Sequence, residues 1–373
     1  MPIFELYLYY ITQKRMHMSH IPLLPLEGNV ETKAVLKKAA EAHRYLAELK
    51  GVAQSIPNQN ILIDTLSLQE ARESSAIENI ISTFDDVYQS NAGSNTYLSS
   101  ASKEVHAYSR ALKAGFDLVK TKGLITANHI LEIHSMVESN QAGFRKLPGT
   151  KLLNEATGET VYTPPQDYDS IIRLMDNLQE YMNNEELSDI DPLIKMAILH
   201  HQFESIHPFY DGNGRTGRII NILFLIKNDL LTLPVLYLSR YIIKHKTQYY
   251  NLLQAVRNTS DWEEWILVML NAIAQTSKDT IAVINGISAA MQHYKGIIRE
   301  KAPKIYSQDL LNNLFRYPYT KIEYLVNDLG ISRNTAIRYL DQLESLNLVE
   351  KKKAGRDNFY LNKSLIDILI NPK

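Results

Sequence analysis

Twelve residues, His207-Pro208-Phe209-Tyr210-Asp211-Gly212-Asn213-Gly214-Arg215-Thr216-Gly217-Arg218, carry the densest set of chemically competent groups in this chain. A glycine-bearing loop that feeds a helix N-terminus turns several backbone N–H groups toward one point, as phosphate oxygens require. Asp211-Gly212-Asn213-Gly214 has that form, lying between a helical pattern that ends near Ile206 and an apolar one from Ile219 through Ile226. Arg215 and Arg218 are three apart in the first turn, on neighbouring positions of one face. Cations there oppose the helix dipole, so two of them call for an anion. His207 has the residue type to take a proton from an incoming hydroxyl near neutral pH, and Asp211 supplies a hard oxygen for a Mg²⁺ that bridges phosphates. Asp-Gly and Asn-Gly are also ordinary hairpin-turn dipeptides. Helical rather than alternating flanks, together with the two arginines, argue against that reading. A metal hydrolase using His200, His201 and His207 is disfavoured: adjacent helical histidines point about 100° apart, and no H-E-x-x-H spacing accompanies them.

The loop needs helices on both sides and a structure that presents the hydroxyl. Asp191-Pro192 is a helix start signal, an N-cap acid followed by proline at the first helical position, and the helix it opens carries Ile194, Ile198 and Leu199. Upstream, Val30 to Gln89 is helical in pattern, with Val35, Leu36, Ala39, Ala40, Leu46 and Leu49 in one run and Ile61 through Ile81 in a second. Ser90-Asn91-Ala92-Gly93-Ser94-Asn95 reads as a linker or exposed loop, after which Lys103 to Tyr108 opens another helix. Thr150-Lys151-Leu152-Leu153 and Thr160-Val161-Tyr162-Thr163 flank the turn-rich Asn154-Glu155-Ala156-Thr157-Gly158-Glu159, which predicts a β-hairpin inserted among helices. Near the end, Ile322 to Leu329 predicts a short helix, Gly330 a turn, and Ser332 the N-cap of a helix through Leu346. Strands at Leu348-Val349-Glu350-Lys351 and Asn358-Phe359-Tyr360-Leu361 around Ala354-Gly355-Arg356-Asp357 complete a winged helix-turn-helix pattern.

At 373 residues the chain exceeds one ordinary core, so two or three domains are expected. A net charge of -1, from 40 basic and 41 acidic residues, gives no whole-molecule field toward nucleic acid or anionic lipid; any such contact must be local. The absence of cysteine excludes disulfide scaffolds and thiolate metal sites. Met1-Pro2-Ile3-Phe4-Glu5-Leu6 does not read as a signal peptide, and Ile219 to Leu238 is too interrupted by Lys227, Asn228, Asp229 and Pro234 for a membrane span. A soluble, cytoplasmic protein is expected.

From His207 to Arg218 the sequence resembles the Fic (Fic/DOC) family, whose signature reads H-x-F-x-D/E-G-N-G-R-x-x-R; every specified position is present. The resemblance implies a mainly α fold, a Fic-type helical core with a β-hairpin flap, here with a C-terminal winged helix-turn-helix. It implies transfer of AMP from ATP, with Mg²⁺ or Mn²⁺, to a Ser, Thr or Tyr hydroxyl of a target protein or of the chain itself, releasing pyrophosphate. The implied roles are His207 as general base, Phe209 as core anchor and Asp211 as metal holder. Nucleotide binding falls to Gly212, Asn213, Gly214, Arg215, Thr216, Gly217 and Arg218, the two arginines taking the β and γ phosphates, and Tyr250 lies against adenine. The hairpin ending in Thr163-Pro164-Pro165 would be the flap that pairs with the target backbone.

Ser74-Ser75-Ala76-Ile77-Glu78-Asn79 matches the family's inhibitory pattern S/T-x-x-x-E-G/N, which implies that Glu78, with Ser74, occupies Arg218 and holds ATP unproductively. The same glutamate would equally suit a reverse, de-AMPylating or bifunctional enzyme. A third reading is a regulator that contacts DNA through Arg333, Asn334 and Arg338, with Lys351, Lys352, Lys353 and Arg356 near the wing, although Asp341 and Glu344 share the helix. The expected division is 1–100, an N-terminal helical region with the inhibitory helix; 101–275, the catalytic core; and 276–373, a linker helix and winged-helix domain. A homodimer is expected by resemblance.

Overall fold

The computed structural model describes residues 21–90, 97–154, 157–354 and 357–371. The expected linker at 91–95, the hairpin-turn residues Glu155 and Ala156, the wing residues Gly355 and Arg356, and the segment Met1 to Leu6 lie outside them. In chain order the described helices and strands are α1 (Lys33–Ala53), α2 (Asn60–Ile77), α3 (Phe84–Gln89), α4 (Ser100–Lys122), α5 (Ala127–Glu138), β1 (Leu152–Leu153), β2 (Thr160–Tyr162), α6 (Tyr168–Asn183), α7 (Pro192–Ile206) and α8 (Asn213–Lys227). They continue with α9 (Ser239–Lys244), α10 (Lys246–Thr259), α11 (Glu263–Lys301), α12 (Gln308–Arg316), β3 (Tyr319–Thr320), α13 (Ile322–Leu329), α14 (Arg333–Ser345), β4 (Glu350–Ala354), β5 (Asp357–Leu361) and α15 (Lys363–Ile370). The protein is mainly α, with two small antiparallel sheets among the described residues.

The chain forms two compact units. Among the described residues, the first comprises those up to Glu41 and those within Ala114–Asn228 and His245–Asn271. Its centre is α7, in which every residue from Leu193 to Ile206 is buried. A helix apolar on all sides must be enclosed on all sides. Asp191 Oδ1 accepts from Leu193 N at 2.8 Å and Pro192 occupies the first turn, as the start signal predicts. Several polar groups along α7 find partners on neighbouring segments: His200 Nε2 pairs with Tyr249 Oη at 2.8 Å, His201 Nε2 with the Leu253 carbonyl at 3.1 Å, and the Ala197 carbonyl accepts from Trp265 Nε1 at 2.8 Å. In α6, Ile171, Leu174, Met175, Leu178, Tyr181 and Met182 form the buried stripe. The predicted hairpin is present but short. Leu152 pairs with Tyr162 and Leu153 with Thr160, and the turn closes through Asn154 and Gly158.

The second unit comprises the described residues within Ala42–Lys113, Asp229–Lys244 and Ala272–Lys373. Glu70, fully buried on α2, accepts from Tyr108 Oη at 3.1 Å and from Ser239 Oγ at 2.5 Å. Asp64 receives Lys113 Nζ and Arg316 Nε, both at 2.5 Å. The sheet order is β3-β5-β4, and Tyr319 packs with Phe84, Tyr88 and Phe359.

Two expected boundaries move for one reason. The run expected to continue to Ile81 stops at Ile77, because Asn79 takes a left-handed φ of 60° while Asn79 N bonds Ala76 O and Ile80 N bonds Ser75 O. That is the Schellman closure. At the end of α14, Asn347 (φ 57°), with Asn347 N to Glu344 O and Leu348 N to Leu343 O, repeats it. The Leu348 N–H is thereby spent on the helix, and the strand expected from Leu348 begins only at Glu350. Ser332 caps α14 through Thr335 N, and Gly330 closes α13, as predicted. Strand β3 and helix α15 are additions that the sequence pattern did not announce. No helix among the described residues is long and apolar enough to cross a membrane.

Candidate active site

The loop is a tight reversal between two buried helices. His207 ends α7 in a left-handed conformation (φ 48°, ψ 59°), and Pro208 cannot continue the helix. Phe209 is fully buried and stacks on His134, with ring centres 3.5 Å apart and planes within 2°. Asn213 then closes the reversal: its Oδ1 accepts from Phe209 N and its Nδ2 donates to Phe209 O, each at 2.9 Å. The Asn213 side chain is thus committed to loop shape, leaving its backbone to any ligand. Gly212 is the N-cap of α8 at φ 73°, where a Cβ would overlap the Glu138 carboxylate. At Gly217 a Cβ would fall 3.1 Å from the Phe203 ring, so this glycine sets the close approach of α8 to α7.

Because α8 begins at Asn213, Arg215 lies in its first turn and Arg218 in its second, one turn later than the sequence reading placed it. Both are buried. Arg215 Nη2 pairs with Glu138 Oε1 at 2.6 Å, with side chains 4% and 14% exposed. Thr216 is buried as well, and its Oγ1 has no hydrogen-bond partner among the described residues. Asp211 is exposed at the tip, its Oδ1 accepting from Gly212 N at 2.7 Å.

His207 is partly exposed while its Nδ1 is sealed and makes no hydrogen bond of ordinary geometry. Burial, reinforced by the Arg145 and Arg257 guanidinium groups, pushes its pKa down to about 4; Asp211 and the Glu204 carbonyl oppose that shift more weakly. The ring is therefore neutral at physiological pH, the state a proton acceptor needs. His200 and His201 are each pushed to about 3, chiefly by burial. Both are turned away to Tyr249 and Leu253, so they form no cluster with His207. Among the described residues no group of three His, Cys, Asp or Glu is placed to hold a metal.

Three residues packed around this site carry no signal in the sequence, Glu138, Arg145 and Arg257, and a fourth, Tyr162, is announced only as a strand residue of the hairpin. The Arg145 guanidinium is buried against the carbonyls of Ile206, His207 and Pro165, and Arg257 lies over the Tyr162 ring, 3.8 Å from its centre. On the hairpin's leading side, Lys146 N and Leu147 N donate to Tyr210 Oη at 3.1 and 3.0 Å. Tyr250 is 42% exposed beside the buried Tyr249, their rings edge to face at 5.2 Å. Ser74 and Glu78 belong to the second unit. Ser74 is fully buried, and Glu78 is the C-cap of α2.

Three family models match in succession: the Fic/DOC family N-terminal model over residues 36–117, the Fic/DOC family model over 124–225, and the C-terminal domain of SoFic-like protein adenylyltransferases over 290–365. The chain belongs to the Fic/DOC family. Among curated relatives it is 38% identical over 81 residues to a probable protein adenylyltransferase of Aquifex aeolicus, covering 22% of this chain and 24% of the relative. It is 27% identical over 159 residues to the protein adenylyltransferase Fic of Aedes aegypti, covering 43% of this chain and 30% of that protein. The matches thus span less than a third of either relative's length. The Fic fold recurs in a Fic family protein from Desulfovibrio desulfuricans (TM-score 0.57, 20% identity, 88% of this chain and 96% of that one). It recurs also in Fic-1 of Caenorhabditis elegans (TM-score 0.51, 19% identity, 68% of this chain and 74% of that one).

Proposed function

We propose that the chain is a protein adenylyltransferase that moves AMP from ATP to a Ser, Thr or Tyr hydroxyl of a target protein or of itself. The observation that carries this reading is a neutral, partly exposed His207 four residues ahead of Asp211 and the α8 N-terminus. The acceptor oxygen attacks the α phosphorus; its new bond forms as the bond to the departing β-phosphate oxygen breaks. His207 takes the hydroxyl proton, and pyrophosphate leaves with the bonding electron pair. Backbone N–H groups of Asn213 and Gly214 and the Arg218 guanidinium would hold the developing phosphate charge. Arg215, already engaged by Glu138, would act on the phosphates partly by shaping the loop. Asp211 suits Mg²⁺ or Mn²⁺, since an exposed carboxylate without a protein cage fits an ion that keeps its waters and leans on substrate phosphates. Such an ion supplies charge neutralisation when bound. Tyr250, half-exposed near the start of α10 beside the buried Tyr249, would stack on the base.

We read 1–100, 101–275 and 276–373 as inhibitory, catalytic and winged-helix regions. Glu78 is our inhibitory residue. The left-handed Asn79 behind it explains why the pattern ends in Gly or Asn, since only such residues close a helix this way without strain. Its carboxylate would compete for Arg218 with the γ phosphate. DNA contact is the weaker reading for the C-terminal region. Arg333, Asn334 and Arg338 are exposed, yet Lys351 pairs with Asp341 at 3.7 Å and Lys352 with Asp85 at 2.9 Å. Homodimerisation is proposed from the family resemblance, with light scattering as its check. Incubation with ATP and Mg²⁺ followed by intact-mass spectrometry tests the central reading. An AMP adduct is expected, larger in Glu78→Gly and lost in His207→Ala; no adduct in either wild type or Glu78→Gly, with a panel of hydroxyl-bearing proteins present, sinks it.

A further inference from the structure

The last three carbonyls of α7, those of Glu204, Ser205 and Ile206, and that of its C-cap His207 lack backbone partners from the chain that follows. Pro208 has no N–H to offer Glu204, and Phe209 N is taken by Asn213 rather than reaching Ser205. Beyond His207 the chain has left the helix, which strands the carbonyls of Ile206 and His207 too. Each is met by a side chain. Arg257 Nη2 donates to Glu204 O at 3.1 Å, Tyr162 Oη to Ser205 O at 2.9 Å, Arg145 Nη2 to Ile206 O at 3.4 Å, and Arg145 Nε to His207 O at 2.8 Å. Arg145 Nη2 also donates to Pro165 O, Arg145 N to Pro208 O at 2.9 Å, and Arg257 Nε to Ser205 Oγ at 3.0 Å.

Cations at a helix C-terminus are favourable, but a cap alone would not need these particular donors. One donor precedes the hairpin (Arg145), one is in its returning strand (Tyr162), and the Arg145 fork reaches on to the residue just beyond it (Pro165). All converge on the helix end that carries His207. We propose that Arg145 and Arg257 are positioning residues that lock the hairpin and His207 into one rigid body, so that a chain paired to the hairpin delivers its hydroxyl at a fixed place relative to the imidazole. The inference rests on the transferase reading for its consequence, and on hydrogen bonds alone for its mechanics.

Full-length Arg145→Gln, Arg145→Lys and Tyr162→Phe are to be compared with wild type by amide hydrogen exchange and by labelled-ATP transfer. In Arg145→Gln, peptides over 157–166 and 206–211 should exchange together, at least about tenfold faster, while α5 is unchanged. Arg145→Lys should restore neither, because one ammonium cannot serve the His207 and Pro165 carbonyls at once. Tyr162→Phe removes only the bond to Ser205; it should open the same two segments to a smaller degree, and it carries the test if Arg145→Gln fails to fold. Transfer at saturating ATP should fall about tenfold in Arg145→Lys with KM for ATP unchanged, since the α8 N-terminus is untouched. Opening of the hairpin without the His207 segment overturns the proposal, as does joint opening with transfer undiminished. If wild type transfers nothing, the enzyme reading fails. The exchange arm then decides on its own: joint opening upholds the coupling, and independent opening removes it.

Discussion

The two helix ends that face each other across the loop are finished in opposite ways. At the C-terminus of α7, four carbonyls are covered by Arg257, Tyr162 and Arg145. At the N-terminus of α8 the cap is Gly212, which has no side chain to offer, and the first intrahelical bond is Thr216 N to Gly212 O. Sealing one end fixes a histidine; leaving the other end without a side-chain cap keeps backbone donors for an anion. The difference teaches that the proposed base and the proposed anion cradle, a few residues apart, rest on opposite treatments of the same kind of orphan group.

The largest break in this pairing is His207→Ala. It should lower AMP transfer roughly a hundred- to ten-thousand-fold while nucleotide affinity, read by calorimetry, holds. Retained transfer would assign the proton to another group. On the cradle side, Glu138→Ala strips a buried Arg215 of its carboxylate and lets the Gly212 turn relax. A loss of about 2–3 kcal/mol in urea unfolding is expected, with weakened ATP binding.

Acid sharpens the contrast, because three histidines depressed by burial lie toward the sealed end, whereas against the cradle loop His134 is the one depressed histidine described. His200, His201 and His207 stay neutral in the folded protein down to about 3, 3 and 4, while unfolded histidine takes its proton near the ordinary value of 6.5. The unfolded state therefore binds more protons in that window. Stability is full above about pH 6.5 and falls on acidification, by about 1 kcal/mol per pH unit for each histidine. Urea midpoints across pH should show this slope, and His200→Gln should flatten it. Transfer should likewise be level through neutrality and fall only as pH approaches 4. The smallest effect is expected from Thr216→Val, which replaces a buried, unpartnered hydroxyl by a methyl group. Stability should change by less than about 0.5 kcal/mol and ATP affinity not at all; a clear loss of affinity would return Thr216 to the nucleotide.

Much of the site was legible before the fold. Asp191-Pro192 announced the start of α7 and the glycines the loop that follows it, since each acts through backbone rules that hold wherever the residue sits. Strand boundaries were less legible. Leu348 looks like a strand residue, but its N–H closes α14, a competition that periodicity does not register. The division of the chain was also hidden, because each compact unit gathers segments distant in sequence.

What the sequence alone determined is the set of groups between His207 and Arg218 and the local geometry that turns them toward one point. That geometry follows from proline, glycine and capping chemistry acting over a few residues. What only the tertiary structure decided is the company they keep. Arg145 and Arg257 lie about sixty and fifty residues from the carbonyls they cover; Glu138 lies 77 residues from Arg215. Nothing in an isolated arginine or glutamate foretells such a partner. The burial that keeps His207 neutral likewise exists only once the surrounding helices have closed over its ring.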